Sequence, residues 1–174
     1  MKLLLLTIMF AIILSGCVAQ YNTDIENQPT ETPEEIEQPQ AETQVSSTSH
    51  QGEVIAGETT KYIRYSKSDY EKALAEDKAV YLYFYANWCP ICRAERPSIL
   101  QAFNEMNAED AIGFEVHYND NEVTNDDKTI TKGFGISYQH TTIILDKDGN
   151  EVFRSLSPIS KDMIKVEINK ARGL

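Results

Sequence analysis

The sequence predicts an α/β domain over residues 61–174, with a mixed central sheet between two layers of helices. Two observations carry this prediction. The stretch AVYLYFYA (79–86) is nearly all apolar or aromatic, as expected for a central strand that is buried on both faces. Predicted strands and helices alternate along most of the chain and end in a hairpin and a helix, in the order β-α-β-α-β-α-β-β-α.

The elements in the first half of the domain follow from local patterns. KYIRYS is typical of a short strand, and SDYEKALAEDKA is a predicted helix in which Ser68 and Glu71 have capping-box spacing. After the central strand, a helix begins at a pair of cysteines and continues for several turns, with Pro97 as a kink inside it. GFEVHYN is the next predicted strand.

The second half of the domain contains the hairpin. The polar stretch DNEVTNDDKTITKGFGI predicts a loop and a short helix. TTIILDKDGNEVFRS (141–155) predicts two strands around a turn, because Asp148-Gly149-Asn150 has the composition of hairpin turns. SKDMIKVEINKARG follows as a predicted amphipathic helix.

The N-terminal residues resemble a bacterial lipoprotein signal. Lys2 precedes an apolar run, Leu3–Leu14, which as a helix would rise only about 18 Å, too short for a bilayer core of about 30 Å. A positive start, a short apolar stretch and small residues at its end describe a secretory signal. Because the segment ends in Leu-Ser-Gly-Cys17, the resemblance implies a signal peptide over residues 1–16 and a lipid on Cys17. We therefore expect a protein anchored by lipid at the extracytoplasmic face of the cell membrane; a cleaved signal followed by an unmodified cysteine is the alternative.

Residues 17–60 form a predicted disordered, acidic tether. From residue 18 onward this segment has nine acidic residues, no Lys or Arg and no periodicity, so it cannot bury enough apolar surface to offset its ordering entropy. Residues 61–174 carry 18 acidic against 15 basic residues, and they contain no basic stripe that would neutralise phosphates. A nucleic-acid partner is therefore not expected.

Two cysteines, in Cys89-Pro90-Ile91-Cys92, lie where the buried strand gives way to a helix. The free N–H groups and the positive dipole end of a helix stabilise an anion, so we expect the pKa of Cys89 to lie below its ordinary value. Pro90 suits the first helical turn because it has no N–H group. Cys92, one turn further, is expected to be shielded but within reach of the Cys89 sulfur. This arrangement favours thiol–disulfide exchange, in which Cys89 attacks and Cys92 resolves the mixed disulfide.

A purely structural role for the cysteine pair has weaker support. A structural disulfide across so small a loop adds little stability, and a structural zinc ion usually needs four ligands. A transition-metal site formed by Cys89, Cys92 and a histidine stays open as an alternative, because thiolates and imidazole suit soft metals.

These features together resemble the thioredoxin family over residues 61–172. YFYANWCPIC resembles the family's apolar strand and its Trp-Cys-x-x-Cys site, Pro97 matches the proline of its active-site helix, and FGISYQHTTIILDKDGNEV is similar to the segment that leads into the substrate-binding loop and hairpin. The resemblance implies a thioredoxin-like three-layer fold with a redox-active Cys89–Cys92 disulfide and no cofactor. It also implies that the substrate site is lined by Trp88, Pro90, Ile91, His140 and Thr141.

Two positions depart from the family pattern. The family places a cis-proline opposite the cysteines, where it helps to hold substrate backbone and keeps metals away, but this sequence has His140 there. We expect His140 to line the site, where it could hydrogen-bond a thiolate, move a proton near neutral pH or bind a metal; a surface histidine is the alternative. Tyr83 takes the place of a buried acid that many thioredoxins use as a proton acceptor. We interpret Tyr83 as strand packing, which leaves water, His140 or Glu95 to accept the proton of Cys92.

We therefore predict a lipid-anchored, extracytoplasmic thiol–disulfide oxidoreductase. It is expected to act as a monomer on cysteines of exported or membrane proteins and to exchange electrons with a membrane redox partner. CRAERP, with Glu95 before Pro97, is similar to membrane-tethered bacterial relatives that reduce or service exported proteins, and this likeness favours a reductase. The Pro-Ile pair between the cysteines leaves the direction of electron flow open. The alternative is a membrane-tethered metal-binding or carrier protein that uses Cys89, Cys92 and His140.

Overall fold

A computed structural model of the protein describes residues 50–174. Its elements are β1 (Val54–Ala56), β2 (Tyr62–Arg64), α1 (Lys67–Ala75), β3 (Ala79–Tyr85), α2 (Pro90–Glu105), β4 (Ala111–His117), α3 (Asn125–Gly133), β5 (Thr141–Leu145), β6 (Glu151–Ser155) and α4 (Lys161–Ala171). From β2 onward, this order matches the predicted alternation of strands and helices.

The strands form one mixed sheet in the order β1-β2-β4-β3-β5-β6. Strand β3 runs parallel to β4 and antiparallel to β5, and β4 runs parallel to β2. All residues of β3 except Tyr85 are buried. The predicted mixed sheet, its buried central strand and its closing hairpin β5–β6 are therefore confirmed.

Alternate side chains of β3 enter two separate hydrophobic cores. Tyr81 and Tyr83 pack on one face with buried residues of α2 and α4. Val80, Leu82 and Phe84 pack on the other face with buried residues of α1 and α3. Because successive side chains of a strand point to opposite faces, one strand supplies both cores. Helices cover both faces of the sheet, as predicted.

The folded domain begins earlier than the sequence predicts. Strand β1 pairs antiparallel with β2, and the backbone N–H groups of Gln51 and Gly52 donate hydrogen bonds of 2.9 and 2.8 Å to the carboxylate of Asp69. The prediction of a disordered tether is therefore wrong for residues 51–60. A three-residue strand is too short to show a period in the sequence, and β1 is held by its pairing with β2.

The predicted signal peptide (1–16), the lipidated Cys17 and the rest of the predicted tether up to residue 49 lie outside the described residues. Within residues 50–174, no helix combines the length and the apolar character needed to cross a membrane.

Helix α1 is capped by a different serine from the one that the sequence suggests. The Ser66 hydroxyl accepts a hydrogen bond of 3.2 Å from the backbone N–H of Asp69, so the predicted capping box of Ser68 and Glu71 is wrong. Ser66 has the extended backbone that an N-cap requires, whereas Ser68 already lies within the helix.

Candidate active site

The junction between β3 and α2 positions both cysteines. Cys89 is the N-cap of α2, with an extended backbone, and Pro90 is the first helical residue. The Cys89 sulfur accepts a hydrogen bond of 3.1 Å from the backbone N–H of Cys92. The sulfur thus takes the place of the side-chain oxygen that usually caps a helix, and it faces N–H groups that have no partner within the helix. Pro97 lies inside α2, as predicted.

Both cysteines are free thiols and both are buried, with 1% of Cys89 and none of Cys92 exposed. Burial, and after it the neighbouring Cys89 sulfur, raises the pKa of Cys92 to about 11, although the Tyr83 hydroxyl acts in the opposite direction. Cys92 therefore keeps its proton near neutral pH, and its use as a nucleophile requires a proton acceptor.

A tyrosine connects this thiol to a buried carboxyl group. The Tyr83 hydroxyl lies beside the Cys92 thiol, whose pKa it lowers, and donates a hydrogen bond of 2.8 Å to Glu95 Oε2. The other oxygen of Glu95 accepts a hydrogen bond of 2.9 Å from the backbone N–H of Ile159. Burial raises the pKa of Glu95, and the hydrogen bonds from Ile159 and Tyr83 offset part of that increase. The Tyr83 hydroxyl thus lies between the Cys92 thiol and a buried carboxyl group.

Tyr83 is the residue whose importance the sequence does not show. The interpretation of Tyr83 as strand packing is correct for its ring, which is fully buried in the core between β3 and α2, but it misses the polar contacts of the hydroxyl. The available signal was Glu95, which lies one helical turn after Cys92 and is buried on the same side of α2. A buried carboxyl group beside a thiol needs a donor, and Tyr83 is the residue of β3 that supplies it.

His140 lies close to both cysteines. One ligand atom from each of Cys89, Cys92 and His140 lies within 4.8 Å of the others. The backbone N–H of His140 donates a hydrogen bond of 2.7 Å to the carbonyl oxygen of Phe84. Its φ of 52° lies in the left-handed region, which proline cannot adopt because its ring holds φ near −65°. Its Nδ1 atom is buried and has no hydrogen-bond partner among the described residues.

The remaining predicted site residues divide into an exposed group and a buried one. Trp88 is 49% exposed and Ile91 is 45% exposed, and Pro90 beside them is also exposed. The Trp88 indole donates a hydrogen bond of 2.8 Å to the carbonyl oxygen of Asn119, which holds the ring next to the start of α2. Thr141 is buried, and its hydroxyl donates to a backbone carbonyl in the preceding loop. Thr141 is the first residue of β5 and directly follows His140, and its role in lining the substrate site stays a prediction.

Comparison with known proteins identifies the family. Residues 61–170, well over half of the chain, match the family model described as Thioredoxin. The chain belongs to the thioredoxin family. Thioredoxin-like proteins use a redox-active cysteine pair without a cofactor, and this chain has such a close pair in Cys89 and Cys92.

Individual relatives agree with this assignment. The chain is 30% identical over 97 residues to "Thioredoxin-like protein HCF164, chloroplastic" from Oryza sativa subsp. japonica; the match covers 56% of this chain and 35% of the relative, so it spans about a third of that protein. It is similar to the crystal structure of Trxlp from Edwardsiella tarda EIB202, with 26% identity and a TM-score of 0.51, over 60% of this chain and 95% of the other. A mutant thioredoxin from Halobacterium salinarum NRC-1 shares the fold at 18% identity and a TM-score of 0.50, over 65% of this chain and 90% of the other.

Proposed function

We propose that this protein is a lipid-anchored, extracytoplasmic thiol–disulfide reductase that acts on cysteines of exported or membrane proteins. The observation that carries the exchange chemistry is the hydrogen bond from the Cys92 N–H to the Cys89 sulfur at the start of α2. It aims a backbone donor and a helix N-terminus at the Cys89 sulfur, the atom that attacks a substrate disulfide.

The reaction uses the two cysteines in sequence. The Cys89 thiolate attacks one sulfur of a substrate disulfide, forms a mixed disulfide and releases the first substrate thiolate. Cys92 then attacks the Cys89 sulfur, which forms the Cys89–Cys92 disulfide and releases the second substrate thiolate. The substrate gains two electrons, and the protein must be reduced by another dithiol before the next cycle.

The proton of Cys92 leaves through Tyr83 to Glu95. Cys92 must be deprotonated for the second step, and its raised pKa means that water near neutral pH removes the proton poorly. The Tyr83 hydroxyl passes its own proton to Glu95 as it accepts the proton of Cys92. Because burial raises the pKa of Glu95, this carboxylate is a better proton acceptor near neutral pH than an exposed one.

The exposed apolar side chains near the cysteines suit a protein substrate. Trp88 and Ile91 stand beside the thiols, and Tyr138, in the loop that leads to His140, is 62% exposed. Cys89 itself is 1% exposed, so substrate must approach closely over these side chains to reach the sulfur. We expect the protein to act as a monomer, with its electrons supplied by a membrane redox partner.

A trapping experiment tests the exchange mechanism. Cys92→Ser removes the resolving thiol, so mixed disulfides between Cys89 and substrates should accumulate and appear as slower bands on a non-reducing gel of whole cells. The matched control, Cys89→Ser with Cys92→Ser, should show no such bands. If the single and double variants give the same pattern, Cys89 is not the attacking thiol.

Lipid anchoring and the direction of electron flow have separate tests. Cys17→Ser should move the protein from the membrane fraction to the soluble fraction and abolish incorporation of a labelled fatty acid; unchanged fractionation contradicts lipid anchoring. A reduction potential of the Cys89–Cys92 pair below about −230 mV is expected for a reductase, whereas a value near −150 mV would assign the protein as an oxidant or isomerase.

A further inference from the structure

We propose that the reduced protein also binds one Cu(I) ion through Cys89, Cys92 and His140. Three observations support this site: the ligand atoms lie within 4.8 Å of one another, both cysteines are free thiols, and the buried Nδ1 of His140 has no hydrogen-bond partner among residues 50–174. A buried ring nitrogen without a partner, in a side chain that reaches both thiols, needs an explanation, and a metal ion supplies one. This inference goes beyond the exchange reaction and does not depend on its direction.

The geometry is close to that of a metal-bound state. With metal–sulfur distances of about 2.3 Å and metal–nitrogen distances of about 2.0 Å, ligand atoms around one ion lie about 3.5–4.0 Å apart. The three ligand atoms of the metal-free protein therefore need to approach by about 1 Å or less, which small side-chain rotations provide. The hydrogen bond of 2.7 Å from the His140 N–H to the carbonyl oxygen of Phe84 holds the histidine backbone against β3.

The ligand set favours Cu(I) over zinc. Thiolates select Cu(I), zinc and iron–sulfur clusters, and imidazole suits copper and zinc. Zinc with three protein ligands keeps a fourth position for water, but the two sulfurs of this site are almost fully buried. Cu(I) is stable with three ligands in a plane and needs no water. Three ligands, two of them buried thiolates, therefore fit Cu(I) best.

Metal binding and disulfide formation exclude each other. When Cu(I) binds, two metal–sulfur bonds form, each proton that a sulfur still carries passes to solvent, and no electrons are transferred. The oxidised pair has no thiolate to offer, so only the dithiol form binds the ion. The same two sulfurs thus serve either a substrate disulfide or a metal ion.

The test uses the full chain with Cys17→Ser, so that Cys89 and Cys92 are its only thiols. The reduced, metal-free protein is titrated anaerobically with Cu(I) against a chromogenic Cu(I) chelator, and X-ray absorption then reports the atoms bound to copper. We expect one Cu(I) per chain, with two sulfur ligands and one imidazole nitrogen. Oxidised protein should not compete with the chelator.

The variant His140→Asn tests whether the imidazole is a ligand of the copper ion. Asparagine tolerates the positive φ of this position, so the variant keeps the backbone while losing the ligand. We expect Cu(I) affinity to fall at least tenfold, as for the loss of groups that support a metal site, and the nitrogen signal to disappear. His50→Asn, a histidine substitution outside the site, is the matched control and should leave both unchanged.

Several results would overturn the proposal. These are equal Cu(I) affinity of the wild type and His140→Asn, a copper ion bound by sulfur alone in the wild type, and binding of Zn(II) in preference to Cu(I). If His140→Asn fails to fold, the X-ray absorption spectrum of the wild type still decides whether imidazole binds the ion. Loss of trapping in Cys92→Ser cells would contradict the exchange mechanism without changing any of these metal measurements.

Discussion

Removing the Tyr83 hydroxyl tests the proposed proton path to Glu95. Tyr83→Phe keeps the ring in the core but deletes the atom that contacts both Cys92 and Glu95. Glu95 Oε2 then loses its donor in a buried site, and Cys92 loses the neighbouring hydroxyl that lowers its pKa. We therefore expect two effects, a lower free energy of unfolding and a slower second step of exchange.

The magnitude follows from the loss of one hydrogen bond to a charged group, which contributes about 1.5–3 kcal/mol. Applied to the Cys92 thiolate, this loss lowers the thiolate fraction by roughly 10- to 150-fold, since about 1.4 kcal/mol is a factor of ten. A more basic thiolate is also more nucleophilic, with a Brønsted coefficient of about 0.4–0.5. On a logarithmic scale, this higher nucleophilicity recovers nearly half of the rate that the smaller thiolate fraction loses. The rate of resolution should therefore fall by about 3- to 20-fold near neutral pH.

Stopped-flow reaction of the reduced protein with an aromatic disulfide measures this rate. The first aromatic thiolate is released when Cys89 attacks, and the second is released when Cys92 resolves the mixed disulfide. Tyr83→Phe should slow the second phase and leave the first nearly unchanged. Its pH profile should move to higher pH, because the variant loses a group that stabilises the Cys92 thiolate.

Tyr81→Phe is the matched control. Tyr81 lies on the same face of β3 and is equally buried, but its hydroxyl contacts Thr142 at 3.5 Å and takes no part in the site. We expect this variant to lose about 1 kcal/mol or less and to resolve at the wild-type rate. If Tyr83→Phe and Tyr81→Phe have the same second-phase rate at every pH, the path through Tyr83 does not carry the proton.

Two further predictions concern stability. Asp127→Ala leaves Arg64 without the carboxylate that it contacts at 2.6 Å and should cost about 3–5 kcal/mol in urea unfolding. Burial alone raises the pKa of Asp127, but the hydrogen bonds from Arg64 and Thr124 outweigh burial and lower this pKa below 3.8. The wild type should therefore lose this stability as the pH falls through the lowered pKa, whereas the stability of the variant should not change in this way. Gly113→Ala places a methyl group against the ring of Phe103 and should cost about 1–3 kcal/mol. Gly133→Ala meets no atom within 4 Å and should be neutral or stabilising by up to about 1 kcal/mol.

The parts of the fold that the sequence predicts are those that local pattern determines. AVYLYFYA is apolar throughout because β3 is covered on both faces, so its central position can be predicted without knowing its neighbours. Strand β1 has no such pattern, because three residues show no period and their place depends on pairing with β2. Capping-box spacing predicted Ser68 near the start of α1, but the N-cap is Ser66, because the helix already begins at Lys67.

In the candidate site, too, some contacts follow from sequence spacing and others depend on how the elements pack. Cys89 and Cys92 lie on one helical turn, so their proximity follows from sequence spacing alone. The contact between Tyr83 and Glu95 depends on how α2 packs against β3, and no spacing rule gives that distance. The resemblance to the family predicted that His140 faces the cysteines, but its left-handed backbone and its unpartnered nitrogen are properties of the folded loop.

The sulfur that caps α2 also links the stability of the fold to its electron affinity. Folding and oxidation form a closed thermodynamic cycle, so the difference in unfolding free energy between the dithiol and disulfide forms equals the shift that folding imposes on the reduction potential. For this two-electron couple, about 1.4 kcal/mol corresponds to about 30 mV. A cap that contributes about 1 kcal/mol only to the dithiol form therefore raises the potential by about 20 mV. Urea denaturation of the two forms therefore measures the same quantity as a redox buffer, and the cap at the start of α2 contributes to it.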